Sequence, residues 1–407
     1  MRTEKPPLWT RSYIFACVGN FLSYFGFCMV LPVFPMLLIN DLGISGSKTG
    51  IIIATFTFSA MISRLFFAYL SDLYNRKIIY CAVMLLFSAL FLPYTLLVGG
   101  VVFFVFLRII HGAAFGAVSV SGNAALIDIV NEKRRGEGFG FFGISNNLGM
   151  AIGTTAGLYI YQILEIDFYW VFISAFLMGA VGFLCILQVK LTNAHPKQKM
   201  PQDKKFSFDK IYQVKGVFAG LSLLLLSFPY GLILSFAPLY ATELGIDKNV
   251  GLFFVSMSVG LVFSRITSGK LVDRGKLTNV IKWAAFFISL SLLFFAMLGY
   301  FGVENTAVKS TAFYIVGFMF GLGYGMIFPA FNTLFVNLAP DNRRAAASST
   351  YLTNWDIGLG SGLILGGIIM EKSGMSAAYL TAAATSFVGA TFFVLFGAKH
   401  FLKHKLR

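Results

Sequence analysis

The sequence predicts an all-α membrane protein: twelve transmembrane helices in two pseudo-symmetric six-helix bundles, with both termini in the cytoplasm. Three observations lead there. The 407-residue chain is 57% hydrophobic and 12% charged, with a mean hydropathy of +0.78. Twelve apolar runs of helix length follow one another across short polar breaks. The second six of these runs repeat the first at fixed register.

Composition sets the solvent. A soluble chain of this length would form two or three domains with polar surfaces, and 32 Lys and Arg with 17 Asp and Glu are too few to coat them. Lipid is therefore the expected surroundings of most of the surface. The 46 Phe and 41 Gly agree, since glycine is tolerated in membrane helices and lets them pack closely. Disordered, collagen-like and disulfide-scaffold classes are excluded. Cys17, Cys28, Cys81 and Cys185 lie inside apolar runs without paired or metal-type spacing and read as small apolar fillers.

A membrane span needs ~20 mainly apolar residues. The runs cover 13–39, 48–70, 78–97, 100–127, 138–161, 167–190, 216–241, 249–270, 279–302, 309–336, 345–369 and 376–401. The first is too long, and too interrupted by Pro32 and Pro35, for a cleaved signal peptide, and reads as a permanent helix. Continuous apolar runs, rather than short alternating segments, make the spans helices and not barrel strands. Pro229 and Pro238 in the seventh run and Pro329 in the tenth are expected to bend their helices. The longest polar stretch, LTNAHPKQKMPQDKKFSFDKIYQVKG (191–216), separates six runs from six. The expected organisation is a first bundle over 1–190, a cytoplasmic linker over 191–215 and a second bundle over 216–407.

The net charge of +15 raises nucleic acid as a partner, and its distribution excludes it. With the N-terminus inside, Arg2, Lys5, Arg11, Arg76, Lys77, Lys133 to Arg135, Lys270, Arg274, Lys276, Lys282, Arg343, Arg344 and the lysines of the linker and C-terminal tail fall on one side. The opposite loops hold Lys48, Lys248, Lys309 and Lys372 against Asp41, Glu165, Asp167, Glu243, Asp247, Glu304 and Glu371. This is the positive-inside pattern. The basic residues flank short loops and form no continuous patch.

The repeat is gapless within two stretches. Gly50, Ser63, Arg64, Leu70 and Asp72 match Gly251, Ser264, Arg265, Leu271 and Asp273, each pair 201 residues apart. Gly112, Gly116, Asn123, Arg134, Arg135, Gly149, Gly153 and Gly157 match Gly321, Gly325, Asn332, Arg343, Arg344, Gly358, Gly362 and Gly366, each 209 apart. Both halves start inside with six spans, so the repeat is parallel, about an axis along the membrane normal.

With these features the chain resembles the major facilitator superfamily over its whole length. The superfamily's loop motif between spans two and three appears as AYLSDLYNRK (68–77), with Asp72, Arg76 and Lys77 in place and Ala68 and Asn75 where glycines are usual. GKLVDRGK (269–276) is its weaker twin. RIIHG (108–112) is similar to the fourth-span motif, with His111 where Gln is common. GMAIGTTAG (149–157) keeps the spaced glycines of the antiporter branch, with Thr154 where proline is expected.

The resemblance implies alternating access, and it implies roles. Asp72, Arg76, Lys77, Asp273, Arg274, Arg135 and Arg344 look like a latch between halves: span two would pack on span eleven near Arg344, and Asp273 would face Arg135. The alternative is that they only enforce topology. The glycines Gly149, Gly153, Gly157, Gly358, Gly362 and Gly366 would smooth helices that meet the other half. Tyr24, Ser119, Asn123, Tyr230, Tyr324, Asn332 and Asn354, among many Phe, would line a central substrate cavity suited to aromatic or amphipathic cargo.

Charge within spans is rare and therefore informative. Arg64 and Arg265, repeat mates near the cytoplasmic ends, read as anchors or snorkelling residues. Arg108 lies deeper and would neutralise a carboxylate or hold an anionic group. Asp356 is the sharpest single residue, about eleven positions into span eleven and ~16 Å from the inside face. Its repeat mate is Asn147, a neutral amide. A carboxylate at that depth suits proton coupling, with an ion pair or helix-to-helix hydrogen bond as the alternative. His111 could join a relay or simply pack beside Arg108. Asp128 and Glu132 read as loop ion-pair residues.

The leading expectation is a monomeric, proton-coupled exporter of a small amphipathic molecule or metabolite in a bacterial cytoplasmic membrane, with protons and lipids as its other partners and no cofactor or metal. An importer or facilitator is the alternative within the same class. A membrane sensor or scaffold, and a membrane enzyme, are the alternatives from other classes. The sensor's extra domain is not seen, and four His, three of them in cytoplasmic segments, offer no nucleophile–base pair. No phosphate loop points to ATP.

Overall fold

The structure, a computed structural model, describes residues 6–96, 100–131, 134–163, 167–191, 213–246, 249–300, 305–340 and 344–406. Among them there is no strand. The helices are α1 (Arg11–Met36), α2 (Gly46–Leu73), α3 (Arg76–Ala89), α4 (Gly100–Ile129), α5 (Arg135–Leu158), α6 (Phe168–Gln188), α7 (Val217–Glu243), α8 (Gly251–Asp273), α9 (Leu277–Met297), α10 (Thr306–Leu338), α11 (Arg344–Ser373), α12 (Met375–Phe392) and the short α13 (Ala398–His404). The first twelve fall on the twelve apolar runs in order. Eleven helical spans among the described residues are long and apolar enough to cross a membrane. α5, at 24 residues, is longer than α6 at 21, but GISNNLG and its other glycines dilute its apolar character. α7 continues through Pro229 and Pro238, and α10 through Pro329.

Local chemistry sets the helix ends. Asn75 accepts from the amides of Lys77 and Ile78 at 2.9 and 3.3 Å, so the position where the loop motif usually has glycine is here the N-cap of α3. Asn305 caps α10 in the same way. α1 and α7 end alike, in DLGI (41–44) and ELGI (243–246). Gly43 and Gly245 take positive φ of 63° and 74°. The next amides then turn back, Ile44 to the Leu38 carbonyl and Ile246 to the Ala241 carbonyl, each at 2.8 Å.

The chain divides into two compact units. The first comprises Met1–Val33 and Thr55–Lys204. Its core joins α1, α3, α4 and the end of α6 through Ala16, Tyr80, Met84, Ala125, Ile186 and Val189. A second cluster, Leu8, Tyr13, Leu126, Val130 and Phe142, brings in α5. α2 and α4 touch backbone to backbone: a Cβ on Gly112 or Gly116 would sit 2.2 or 2.4 Å from the carbonyl oxygens of Phe56 and Ala60. Ser59 and Ser63 donate across the same seam to Ile109 and Ala113, both at 2.5 Å.

The second unit comprises Phe34–Ala54 and Lys205–Arg407. Residues 34–54 thus group with it, although the sequence reading placed them in a first bundle over 1–190. The reason is close packing of the start of α2 on the end of α11. A Cβ on Gly50 would lie 2.2 Å from the Leu363 carbonyl oxygen. The Ser47 amide donates to Glu371 at 2.8 Å. Elsewhere in this unit α10 packs on α8 and α9, α12 on α9 and α7, and α11 on α7. The α8–α10 seam repeats that of α2 and α4, with Gly321 and Gly325 against the carbonyls of Met257 and Leu261. Tyr240 ties α7 to α9 and α12, its hydroxyl lying 3.1 Å from both the Phe295 carbonyl and the Ser376 hydroxyl.

The outer surface is what lipid requires. Val102, Phe66 and Phe387 are 79%, 67% and 66% exposed, and Trp9, Trp170 and Trp283 are each more than half exposed. In such a solvent, helices associate through close packing and hydrogen bonds rather than through removal of apolar surface from water.

Candidate functional site

The spaced glycines fill a role inside each half. A Cβ on Gly149, Gly153 or Gly157 would meet the carbonyl oxygens of Phe21, Phe25 and Met29 at 2.8, 2.3 and 2.1 Å. Their face of α5 is therefore taken by α1 of the same unit, rather than by the other half as the sequence reading expected. The mates behave alike: Gly358 and Gly362 lie against the Leu224 and Phe228 carbonyls at 2.2 and 2.0 Å, and Gly366 against the Leu232 side chain, all on α7. Small residues mark a face that can be approached closely, but they do not name the helix that approaches.

The basic loop residues also find partners close to home. Arg76 pairs with Asp128 at 2.9 Å, joining the start of α3 to the end of α4. Lys77 donates to the carbonyls of Ile186, Leu187 and Val189, capping the C-terminus of α6. Arg134, beside the expected latch residue Arg135, pairs with Glu137 at 2.7 Å and donates to the Pro6 carbonyl at 3.0 Å. Arg135 donates to the Ile127 carbonyl at 3.4 Å, and Arg274 is exposed at the end of α8. The side chains of Asp72, Asp273, Arg344 and Glu132 lie outside the described residues.

Arg108 and His111 lie close together on α4. Both are buried, 3% and 1% exposed. The Arg108 guanidinium lies over the Phe56 ring, 4.4 Å from its centroid, with the Tyr94 hydroxyl beside it. His111 is boxed by Phe56, Phe87, Phe91 and Tyr94, with centroids 4.6 to 5.7 Å away. This is an aromatic cage that holds the imidazole in place.

In the second unit, Asp356 is buried, 5% exposed, and so is its repeat mate Asn147 in the first, at 7%. It follows Trp355, which packs with Tyr230, Tyr324 and Phe328 at centroid distances of 5.2, 5.8 and 4.3 Å. Tyr324 is fully buried and its hydroxyl donates to the Leu226 carbonyl at 2.5 Å. Asn354 donates to the Thr350 carbonyl of its own helix at 2.7 Å. Asn332 is exposed and accepts from Ser348 at 3.3 Å. Of the expected cavity residues in this unit, Tyr230, Tyr324 and Asn354 are therefore packed against protein.

The other three expected cavity residues do share a cavity. Tyr24, Ser119 and Asn123 line a space of about 40 Å³ in the first unit, walled by Phe87, Phe115 and Phe142. That admits a few waters or one small polar group. Asn20, Ser23 and Asn146 add to its polar lining. Sequence reasoning missed these three because it weighed charge within spans, whereas the signal was an uncharged amide or hydroxyl. Asn20 donates to Ser145 at 2.8 Å and to the Phe142 carbonyl at 3.4 Å, and its Nδ2 also meets Asn146 Oδ1. The carbonyl of Phe142 can only accept, which fixes the Asn20 amide nitrogen on that side.

Comparison with known proteins agrees with this architecture. The Major Facilitator Superfamily model matches residues 16–363 and 309–406. The quinolone resistance protein NorA of Staphylococcus aureus (strain MRSA252) is 25% identical over 363 residues, covering 86% of this chain and 88% of that protein. The staphylopine export protein of Staphylococcus aureus (strain Mu50 / ATCC 700699) is 22% identical over 365 residues, covering 88% and 89%. The fold is similar to that of the nucleoside transporter NupG, with a TM-score of 0.73, 14% identity and coverage of 95% and 99%. The D-xylose-proton symporter gives a TM-score of 0.73, 15% identity and coverage of 94% and 96%. Eleven apolar helical spans among the described residues, a repeat kept down to single glycine contacts, and a family match over residues 16–406 converge: the protein is an integral membrane transporter, not an enzyme, and belongs to the major facilitator superfamily.

Proposed function

We propose that the protein exports a small amphipathic molecule or metabolite from the bacterial cytoplasm by alternating access, driven by protons moving inward. The observation that carries this reading is Asp356, a buried carboxylate in the middle of α11 where the repeat keeps an amide. An acid in that setting is costly to leave charged and is suited to taking up and releasing a proton as its surroundings change. The efflux direction draws support from the resemblance to NorA and to the staphylopine exporter, each matched over nearly nine-tenths of its length. Both termini face the cytoplasm in this reading, because the basic loops then lie inside. The monomer is the working unit, the two six-helix halves rock against each other, and Asp72, Asp273, Arg135 and Arg344 latch the inner face.

The direction is tested in everted vesicles energised by respiration. An exporter accumulates its cargo inside them, and dissipating the proton gradient abolishes the accumulation. Accumulation in right-side-out vesicles instead would make the protein an importer. Asp72→Asn tests the latch: normal insertion with unchanged transport would reduce the motif to a topological signal.

A further inference from the structure

The small cavity of the first unit has a chemical character of its own. Three carboxamides line it, from Asn20, Asn123 and Asn146, with the hydroxyls of Ser23, Tyr24 and Ser119 and no Asp, Glu, His, Lys or Arg among the lining residues. The network above sets the orientation of two amides. Asn20 commits its Nδ2 to Ser145, Phe142 and Asn146, which turns its Oδ1 away from them. Asn146 commits its Oδ1 to Asn20, leaving its Nδ2 as a donor. The cavity therefore presents an acceptor and a donor on neighbouring amides, and aromatic rings supply its walls.

We infer that this cavity is a recognition subsite for a neutral planar amide or lactam edge of the cargo. The N–H of such a group donates to Asn20 Oδ1 and its C=O accepts from Asn146 Nδ2, with Asn123 as the third polar contact. At about 40 Å³ the space admits the amide group alone, so the attached ring stays outside it. A carboxylate would face Asn20 Oδ1 acceptor to acceptor, and an amidinium would face Asn146 Nδ2 donor to donor, with no counter-charge in the lining for either. This inference rests on reading the protein as a carrier of small molecules and adds the charge class of what it carries.

Benzamide, benzoate and benzamidinium share one shape and differ in charge and donor pattern, so they make the test. Each is titrated by saturation-transfer NMR into the full-length protein in nanodiscs. Benzamide should bind wild type, with the two charged probes weaker by about ten-fold or more. Asn146→Asp replaces the donor with a carboxylate; it should weaken benzamide by about ten-fold and strengthen benzamidinium. Asn123→Ala, on the exposed side of the cavity, is the second variant and should weaken benzamide without reversing the preference. The inference is overturned if benzoate or benzamidinium binds wild type as well as benzamide does, if benzamide fails to bind folded wild type, or if both variants leave benzamide unchanged. Flux in proteoliposomes is read separately. A protein that selects benzamide but moves no compound refutes the carrier reading while keeping the subsite, whereas flux with no benzamide selectivity does the reverse.

Discussion

The glycine contacts make a quantitative claim about what holds the bundles together. At Gly362 an added methyl would lie 2.0 Å from the Phe228 carbonyl oxygen and 2.9 Å from its carbon, all backbone that no rotamer change can move aside. α11 would have to retreat from α7 by at least ~1 Å to restore ordinary contact, loosening every other contact along the seam. Gly362→Ala should thus cost about 1–3 kcal/mol from overpacking, set against the ~1 kcal/mol that alanine gains over glycine in a helix. The structure provides its own controls. Gly140 in α5 and Gly269 in α8 have nothing within 4 Å of an added Cβ. Alanine at those positions should be neutral or slightly stabilising. The assay is thermal unfolding of the purified variants in one detergent, followed by size-exclusion recovery. Gly362→Ala melting several degrees below wild type, with both controls at or above it, is the expected pattern. Equal melting of all three would refute the reasoning that backbone proximity makes these glycines necessary.

Three further outcomes follow from contacts already described. Lys77→Met removes a cap shared by three carbonyls of α6 and should destabilise the protein by about 1–3 kcal/mol, seen as a lower melting point with α3 and α6 amides exchanging faster. The Arg76–Asp128 pair is half-buried on one side and buried on the other, so a double-mutant cycle with Arg76→Met and Asp128→Asn should give a coupling of about 1 kcal/mol, with additivity as the contrary result. Tyr324→Phe loses a buried hydrogen bond to the Leu226 carbonyl and should cost about 1 kcal/mol while leaving cargo affinity unchanged; a large affinity loss would place Tyr324 in the binding site instead.

What the sequence made legible, and what it hid, divides along physical lines. The twelve spans were readable because hydropathy over ~20 residues is a property of the chain alone. The repeat was readable at Gly112, Gly116, Gly149, Gly153 and Gly157 because each mate meets the corresponding helix of its own half, so the same steric demand is written twice. The partner of a smooth face is a tertiary fact, however, and the spacing of glycines cannot tell α1 from a helix of the other half. Lys77 illustrates the same limit: its charge says which side of the membrane it occupies, while its bonds depend on where α6 ends. Asn20 and Asn146 were hidden because an uncharged amide within a span carries little signal by itself and becomes meaningful only when the fold sets two of them side by side. Tyr230 and Tyr324 erred the other way, since aromatic residues with polar tips read as cavity lining when their rings in fact pack on Trp355.

The central claim is that proton movement through Asp356 drives cargo outward. The most direct measurement is cargo-induced proton flux in proteoliposomes holding a pH-sensitive dye, with wild type beside Asp356→Asn and a panel of amphipathic compounds and metabolites. The account predicts that a transported compound moves protons through wild type, and that the variant binds the compound yet moves none. Downhill transport without proton movement, the same in wild type and variant, would contradict it and make Asp356 a structural residue of a facilitator.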